Sequence, residues 1–440
     1  MNKIFRYLLH TEKVVSTDIK QALKKLKNDI KSLPIGNETI QNFYSSKAIL
    51  PPGQSPEQLA GWFSKYHPRY NMSSWCFFGN ITDDNGITAA ISSIVQYQIM
   101  PNQPPYIAEW SYCDEQTKGY VLAPFILENE NNVEYSSPFA ITVDANPIYG
   151  GLISLTLFSG RMGEAGAKYR MTGRVITEPD LLDEWEYELE MTDTFGTIQV
   201  GYGPSSFLPQ WLNKNQRDII NDKYNSDVNK YLEQSQDDMT GQGSYYFTIP
   251  LLKVEHFNII KNGKPYFSGT KGNMWIDYVV QGFNAESLPV LGSATWQFFA
   301  LQFPEIEGYY GIQAAMMISI VEVKDASGEI STLSMAHFYY DDPYHSKKNE
   351  NGSRLAAFEW SMNNIQFEVI EYWENYPVKF KLTLSVPNGK STVIYGEAIN
   401  NNQVVSAVKK YEGVFNIKAD IYVNDFEVTN VKGFGWAEVH

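Results

Sequence analysis

From about residue 70 onward the chain runs in short stretches rich in Val, Ile, Tyr, Phe and Thr, interrupted by polar, turn-forming clusters. The interruptions include TDDNG (82–86), NPIYGG (146–151), KNGK (261–264), DASGE (325–329) and VPNGK (386–390). Regular strand–turn spacing of this kind predicts an all-β chain of antiparallel sandwiches or barrels. Two segments break the pattern. In STDIKQALKKLKNDIKSL (16–33), Ile19, Ala22, Leu23, Leu26, Ile30 and Leu33 recur at helical spacing, with Ser16 or Thr17 as cap and Pro34 as stop. The polar stretch 208–236 reads as a helical insertion or a lid-like loop. There is no tandem repeat of about 20 to 50 residues. A looser echo links Trp75-Cys76-Phe77-Phe78 to Trp296-Gln297-Phe298-Phe299, each opening a strand region followed by an acidic-Gly turn, as two barrels of related design would.

The stretch GTKGNMWIDYVVQGF (269–283) carries the main anomaly. Side chains alternate along a strand, so Trp275, Asp277 and Val279 share one face and Met274, Ile276, Tyr278 and Val280 the other. Both faces are mostly apolar. A strand covered on both sides would bury Asp277, and a buried carboxylate either finds partners or stays protonated.

Length and composition narrow the field. A chain of 440 residues favours two domains, and 14% aromatic residues favour strands and large apolar cores. A net charge of -15, with a pI near 4.9, argues against a nucleic-acid partner, which calls for a basic stripe. The two cysteines, Cys76 and Cys113, lack metal-like spacing and read as free thiols in strands. The start, MNKIFRYLLHTEK, lacks the apolar core of a signal peptide, and no later run reaches the roughly 18 apolar residues of a membrane span. These features predict a cytoplasmic protein. The lysine-rich face of the 16–33 helix could touch an anionic membrane or a partner weakly, and otherwise docks on its own domain.

Motifs for cofactor chemistry are missing. The six histidines form no HExxH or HxH, and the cluster His337, Asp341, Asp342 and His345 reads better as a surface turn than as a metal site. GYGPSS (201–206) is not a nucleophile elbow, and there is neither GxGxxG nor a P-loop. The expectation is therefore no metal and no cofactor. What remains is a set of strand aromatics with sparse carboxylates among them, suited to an apolar ligand. The lining candidates are Trp75, Phe77, Glu109, Trp110, Tyr112, Trp275, Trp296, Phe298, Tyr339 and Trp360. Asp277 is the candidate catalytic group, with Tyr245, Tyr246 and Tyr340 as candidate hydrogen-bond donors.

Four runs occur in an order similar to that of the hydroxyneurosporene synthase (carotenoid 1,2-hydratase) and AttH-like family, which includes lipocalin-like Diels-Alderases. They are SSWCFFGNITDDNG, the long run from GSYYFTIPLLKVEHF to GNMWID, ATWQFFALQF, and the C-terminal YEGVFNIKADIYVNDFEVTNVKGFGWAEVH. The resemblance covers roughly residues 60–440. It implies two tandem lipocalin-like antiparallel β-barrel domains, no redox cofactor, and, as in the pericyclase members, a substrate pocket between the domains. The implied division is an N-terminal helix in 1–36, a first barrel over 37–285 carrying the 208–236 insertion, and a second barrel over 286–440. The chain departs from the family where Trp-x-Asp normally continues with histidine and, two residues on, tryptophan; here Tyr278 and Val280 stand there.

Resemblance and residues together predict a cofactor-independent cyclase of the pericyclic type, folding an apolar polyene or polyketide intermediate. Two alternatives remain open at this point: a hydratase or double-bond isomerase using Asp277 as acid, and a non-catalytic carrier of an apolar ligand.

Overall fold

The computed structural model describes residues 72–98, 106–117, 119–127, 133–136, 139–145, 151–177, 183–200, 243–282, 294–306, 312–324, 330–341, 355–360, 364–386, 389–405, 410–423 and 426–439. The 16–33 helix and the 208–236 insertion lie outside them. The described residues contain no α-helix, and so none long and apolar enough to cross a membrane.

A first antiparallel sheet uses β1 (Met72–Thr82), β2 (Thr88–Gln98), β3 (Tyr106–Cys113), β4 (Val121–Leu127), β5 (Val133–Ser136), β6 (Ala140–Ala145) and β7 (Gly151–Ser159). It continues with β8 (Lys168–Thr177), β9 (Asp183–Asp193), β10 (Ile198–Val200), β11 (Gly243–Lys261), β12 (Lys264–Gly269) and β13 (Lys271–Gly282). A second is built from β14 (Ala294–Ile306), β15 (Ile312–Lys324), β16 (Ile330–Asp341), β17 (Leu355–Trp360) and β18 (Ile365–Trp373). Its remaining strands are β19 (Tyr376–Leu384), β20 (Thr392–Ala398), β21 (Val404–Val405), β22 (Lys410–Val423) and β23 (Phe426–Val439). The main orders are β4-β3-β2-β1-β13-β11-β9-β8-β7-β6-β5 and β17-β16-β15-β14-β23-β22-β20-β19-β18. In both, a four-strand meander opens the sheet and the last strand returns to pair with the first. The two sheets curl into tandem lipocalin-like barrels.

Local chemistry explains the turns. Asn262 and Gly263 both have positive φ, 51° and 69°, so KNGK closes the β11–β12 hairpin with the geometry that Asn-Gly favours. The Asp83 carboxylate accepts from the amides of Asn85 (3.0 Å) and Ile87 (2.8 Å), tying TDDNG into a tight turn. Alternation then sorts the faces. Along β8, Tyr169, Met171 and Val175 point into the first barrel, while Arg170 and Arg174 pair outside with Glu190 and Glu184. Gly173, between Met171 and Val175, leaves room for the Tyr187 ring, whose Cζ would lie 2.3 Å from any Cβ added there.

Each barrel has its own core, and a third apolar cluster lies between them. This third cluster joins Phe78, Tyr246, Leu251 and Trp275 of the first barrel to Phe298, Met317, Tyr339 and Trp436 of the second. Phe78 stacks on Trp436 with centroids 5.2 Å apart and meets Phe298 edge-on at 6.2 Å. Two side chains of the second barrel fasten the pair. Gln302 donates to the carbonyls of Pro250 (3.0 Å) and Met274 (2.9 Å), and Asn400 to those of Asp114 (2.9 Å) and Thr117 (3.1 Å). Pro250 lacks an amide hydrogen and sits where the β11–β13 register slips between Ile249 and Leu252, which frees its carbonyl for Gln302.

The Gln302→Leu variant should leave two buried carbonyls unpaired and lower unfolding free energy by roughly 2–4 kcal/mol. Denaturant titration of the full chain checks this; a loss below about 0.5 kcal/mol would deny Gln302 its fastening role.

Candidate functional site

Asp277 lies midway along β13, paired with Cys76 of β1 on one side and Thr248 of β11 on the other. Directly paired residues share a face, so Asp277, Cys76, Thr248, Trp275, Phe78 and Tyr246 all point toward the second barrel. The Trp275 indole N–H donates to Asp277 Oδ1 at 2.5 Å, made possible because residues two apart on a strand project side by side. Tyr246 and Thr248 of β11 flank the carboxyl, and the Thr248 hydroxyl donates to the Ile276 carbonyl at 3.1 Å.

Burial dominates the electrostatics. Asp277 is 5% exposed, and desolvation pushes its pKa up to about 7, against the lowering effect of hydrogen bonds from Tyr246, Trp275 and Thr248. Glu438 of the second barrel adds a smaller upward push. Desolvation likewise raises the Cys76 thiol, with Glu438, Asp277 and Glu412 adding to the rise, and lifts the Tyr246 hydroxyl well above its usual range. From β16, Tyr339 faces Tyr246, and the His337 ring lies parallel to Tyr339 with centroids 6.1 Å apart. His337 is fully buried, which drives its pKa down to about 3 and keeps the imidazole neutral. Near pH 7 the site therefore presents a half-protonated carboxyl, a protonated Tyr246 and a neutral histidine among aromatic walls.

The sequence-predicted residues divide by face. Asp277, Trp275, Tyr246, Phe298 and Tyr339 come together in the inter-barrel cluster or against it. Glu109 shares that face but stands three strands from Asp277, through Ile94 and Cys76, roughly 14 Å at the usual strand spacing. Trp75, Phe77, Trp110 and Tyr112 fill the first barrel instead: Trp75 stacks on Tyr278 at 4.4 Å and Trp110 on Tyr187 at 5.3 Å. Tyr112 donates to Asp114 at 2.8 Å, the carboxylate that caps the β3–β4 turn. Trp360 and Tyr340 belong to the second barrel's core. The side chains of Tyr245 and Trp296 lie outside the described residues, as do His345, Asp342 and the side chain of Asp341. Among the described residues, no group of three or more His, Cys, Asp or Glu could hold a metal ion.

Sequence reasoning missed Glu412, Glu438 and Cys76 as members of this site. Strand pairing sets Cys76 beside Asp277, and the docking of the two barrels turns Glu438 and Glu412 toward that pair. A second buried carboxyl, Asp193, is also pushed up to about 7 by desolvation. Its Oδ1 accepts from the amides of Phe195 (3.0 Å) and Gly196 (2.8 Å), which makes it a turn cap.

No family model matches the chain, and no curated protein matches it in sequence. Among solved structures it is similar to a Nitrosomonas europaea protein assigned as an AttH, with a TM-score of 0.54 and 14% identity over 89% of this chain and 98% of that one. Weaker likenesses are to kievitone hydratase from Nectria haematococca (TM-score 0.40, 15% identity, 83% and 88% covered) and to CghA (TM-score 0.43, 10% identity, 84% and 88% covered). The first of these establishes the fold that the sequence resemblance implied.

A carboxyl whose pKa is raised on folding contributes stability that is complete below its unfolded value, 3.8, and lost as pH rises through about 7. The Asp277→Asn variant should therefore gain stability above pH 7, by up to about 4 kcal/mol, and lose part of the decline between pH 4 and 7. Thermal unfolding across that range checks the sign; an unchanged pH profile would mean that Asp277 titrates normally.

Proposed function

We propose that the space between the two barrels binds an apolar polyene carrying an oxygen function, and that the protein is an enzyme that cyclises it without a cofactor. One observation carries this reading: a buried carboxyl with its pKa pushed up to about 7 keeps about half of its protonated form near neutral pH within an aromatic interface. A cycloaddition needs neither nucleophile nor redox partner. Holding the chain folded removes rotational entropy from the barrier, and a hydrogen bond to an activating carbonyl lowers it further. The neutral Asp277 carboxyl supplies that hydrogen bond, with the Tyr246 hydroxyl beside it. Trp275, Phe78, Phe298 and Trp436 provide the walls.

A second reading has its own support. Glu412 and Glu438 bring carboxylates to the face opposite Asp277, and an acid facing a base suits hydration or isomerisation of a double bond, with Asp277 as proton donor. Native mass spectrometry of the full chain from its own host, before and after incubation with the pathway precursor, separates hydration from the reactions that leave the mass unchanged. A product of unchanged mass favours cyclisation or isomerisation, and a gain of one water favours hydration. A ligand left unchanged would make the protein a carrier and overturn both.

On either enzymatic reading, Asp277→Asn should lower turnover by about 10²–10³-fold while apolar-ligand affinity stays within about threefold. Wild-type turnover should also fall as pH rises through about 7, as the donor ionises. Full turnover in the variant would remove Asp277 from the chemistry.

A further inference from the structure

Strands β22 and β23 place Glu412 and Glu438 directly opposite each other. Alternation puts them on the same face as Val414 and Trp436, the face that covers the first barrel. In β14 the partner of Glu438 is Phe298, which packs edge-on against Phe78, two residues along β1 from Cys76. Glu438 therefore looks across the interface at the β1–β13 pair that carries Cys76 and Asp277. Its charge acts on both groups, whereas that of Glu412 acts on Cys76 and Tyr120.

The two carboxyls differ in access. Asp277 is walled off at 5% exposure, while Glu438 is half-buried and so can trade a proton with solvent. A Glu438 carboxylate across the interface disfavours ionisation of Asp277, whose pKa burial already raises.

We propose that Glu438 is the proton acceptor of the site, taking up the proton that the substrate, or a water adding to it, releases after Asp277 has given its own. The inference rests on the second reading above, in which Asp277 gives its proton to a double bond. In an isomerisation the Asp277 proton bonds to a carbon of the double bond using its π pair. The resulting cation loses a proton from a neighbouring carbon to Glu438, and the C–H pair becomes the new double bond. In a hydration, a water oxygen bonds to the cation and its spare proton goes to Glu438. Return of the proton from Glu438 to Asp277 restores the start, and nothing is oxidised or reduced. The titratable groups facing Asp277 are Cys76 from β1 and Tyr246 from β11. Glu438 and Glu412 face the same pair from β23 and β22, with Tyr339 behind Tyr246 from β16.

Two measurements on the full chain test this. In a carbon-13 NMR titration of the carboxyl groups, Glu438→Gln should lower the Asp277 midpoint by about half to one pH unit, and Glu412→Gln by less. An unmoved midpoint overturns the pairing with Glu438. A wild-type Asp277 midpoint in the ordinary carboxylate range overturns the donor reading itself. With β-ionone as probe in D₂O, Glu438→Gln should slow enzyme-promoted deuterium uptake by about 100-fold, with probe affinity by tryptophan fluorescence unchanged. Uptake at the wild-type rate in Glu438→Gln, together with its loss in Asp277→Asn, would overturn the acceptor role and leave the donor reading standing. No uptake by the wild type would count against both.

Discussion

The structure depends on a group of strands that must be buried on both faces. In the β1–β13–β11 region one face feeds the first barrel's core and the other carries Phe78, Trp275, Tyr246 and Leu251. A barrel standing alone would leave that second face, with its large aromatics, in water. The second barrel presents a matching stripe on β14, β15, β16, β22 and β23, and the two stripes cover each other. Docking is thus a condition of the fold, and the low-dielectric seam it creates is the setting that pushes the Asp277 pKa up to about 7.

Much of this was legible from the chain. Alternation and turn chemistry predicted β structure, and the two-sided apolar pattern of 274–280 predicted a buried, chemically abnormal Asp277. The faces of other aromatics were harder to read, because a face is set by register and a slip of one residue reverses it. The paired motifs show this. In Trp75-Cys76-Phe77-Phe78 the third residue, Phe77, points into its barrel and the fourth, Phe78, into the seam. In Trp296-Gln297-Phe298-Phe299 the third, Phe298, faces the seam and the fourth, Phe299, the barrel. The echo in topology is real, but the motifs are out of phase. Glu412 and Glu438 were beyond reach for another reason: their meeting with Cys76 and Asp277 joins strands more than 130 positions apart in sequence, and local pattern says nothing about such contacts.

Tyr278 and Val280 point into the first barrel, where Tyr278 stacks on Trp75 and lies near Phe247. The opposite face of β13 carries the Trp275–Asp277 pair toward the seam. The exposed ion pairs, such as Arg170 with Glu190 and Lys379 with Glu397, lie on outer surfaces where water screens them.

Gln302 and Asn400 grip the first barrel through main-chain carbonyls, at Pro250, Met274, Asp114 and Thr117. A carbonyl is present whatever side chain a position carries. These anchor points are consequently insensitive to drift in the first barrel's sequence so long as its backbone path is kept. The second barrel holds both side chains of the fastening, so the seam's lining can diversify on the first barrel without the two units coming apart.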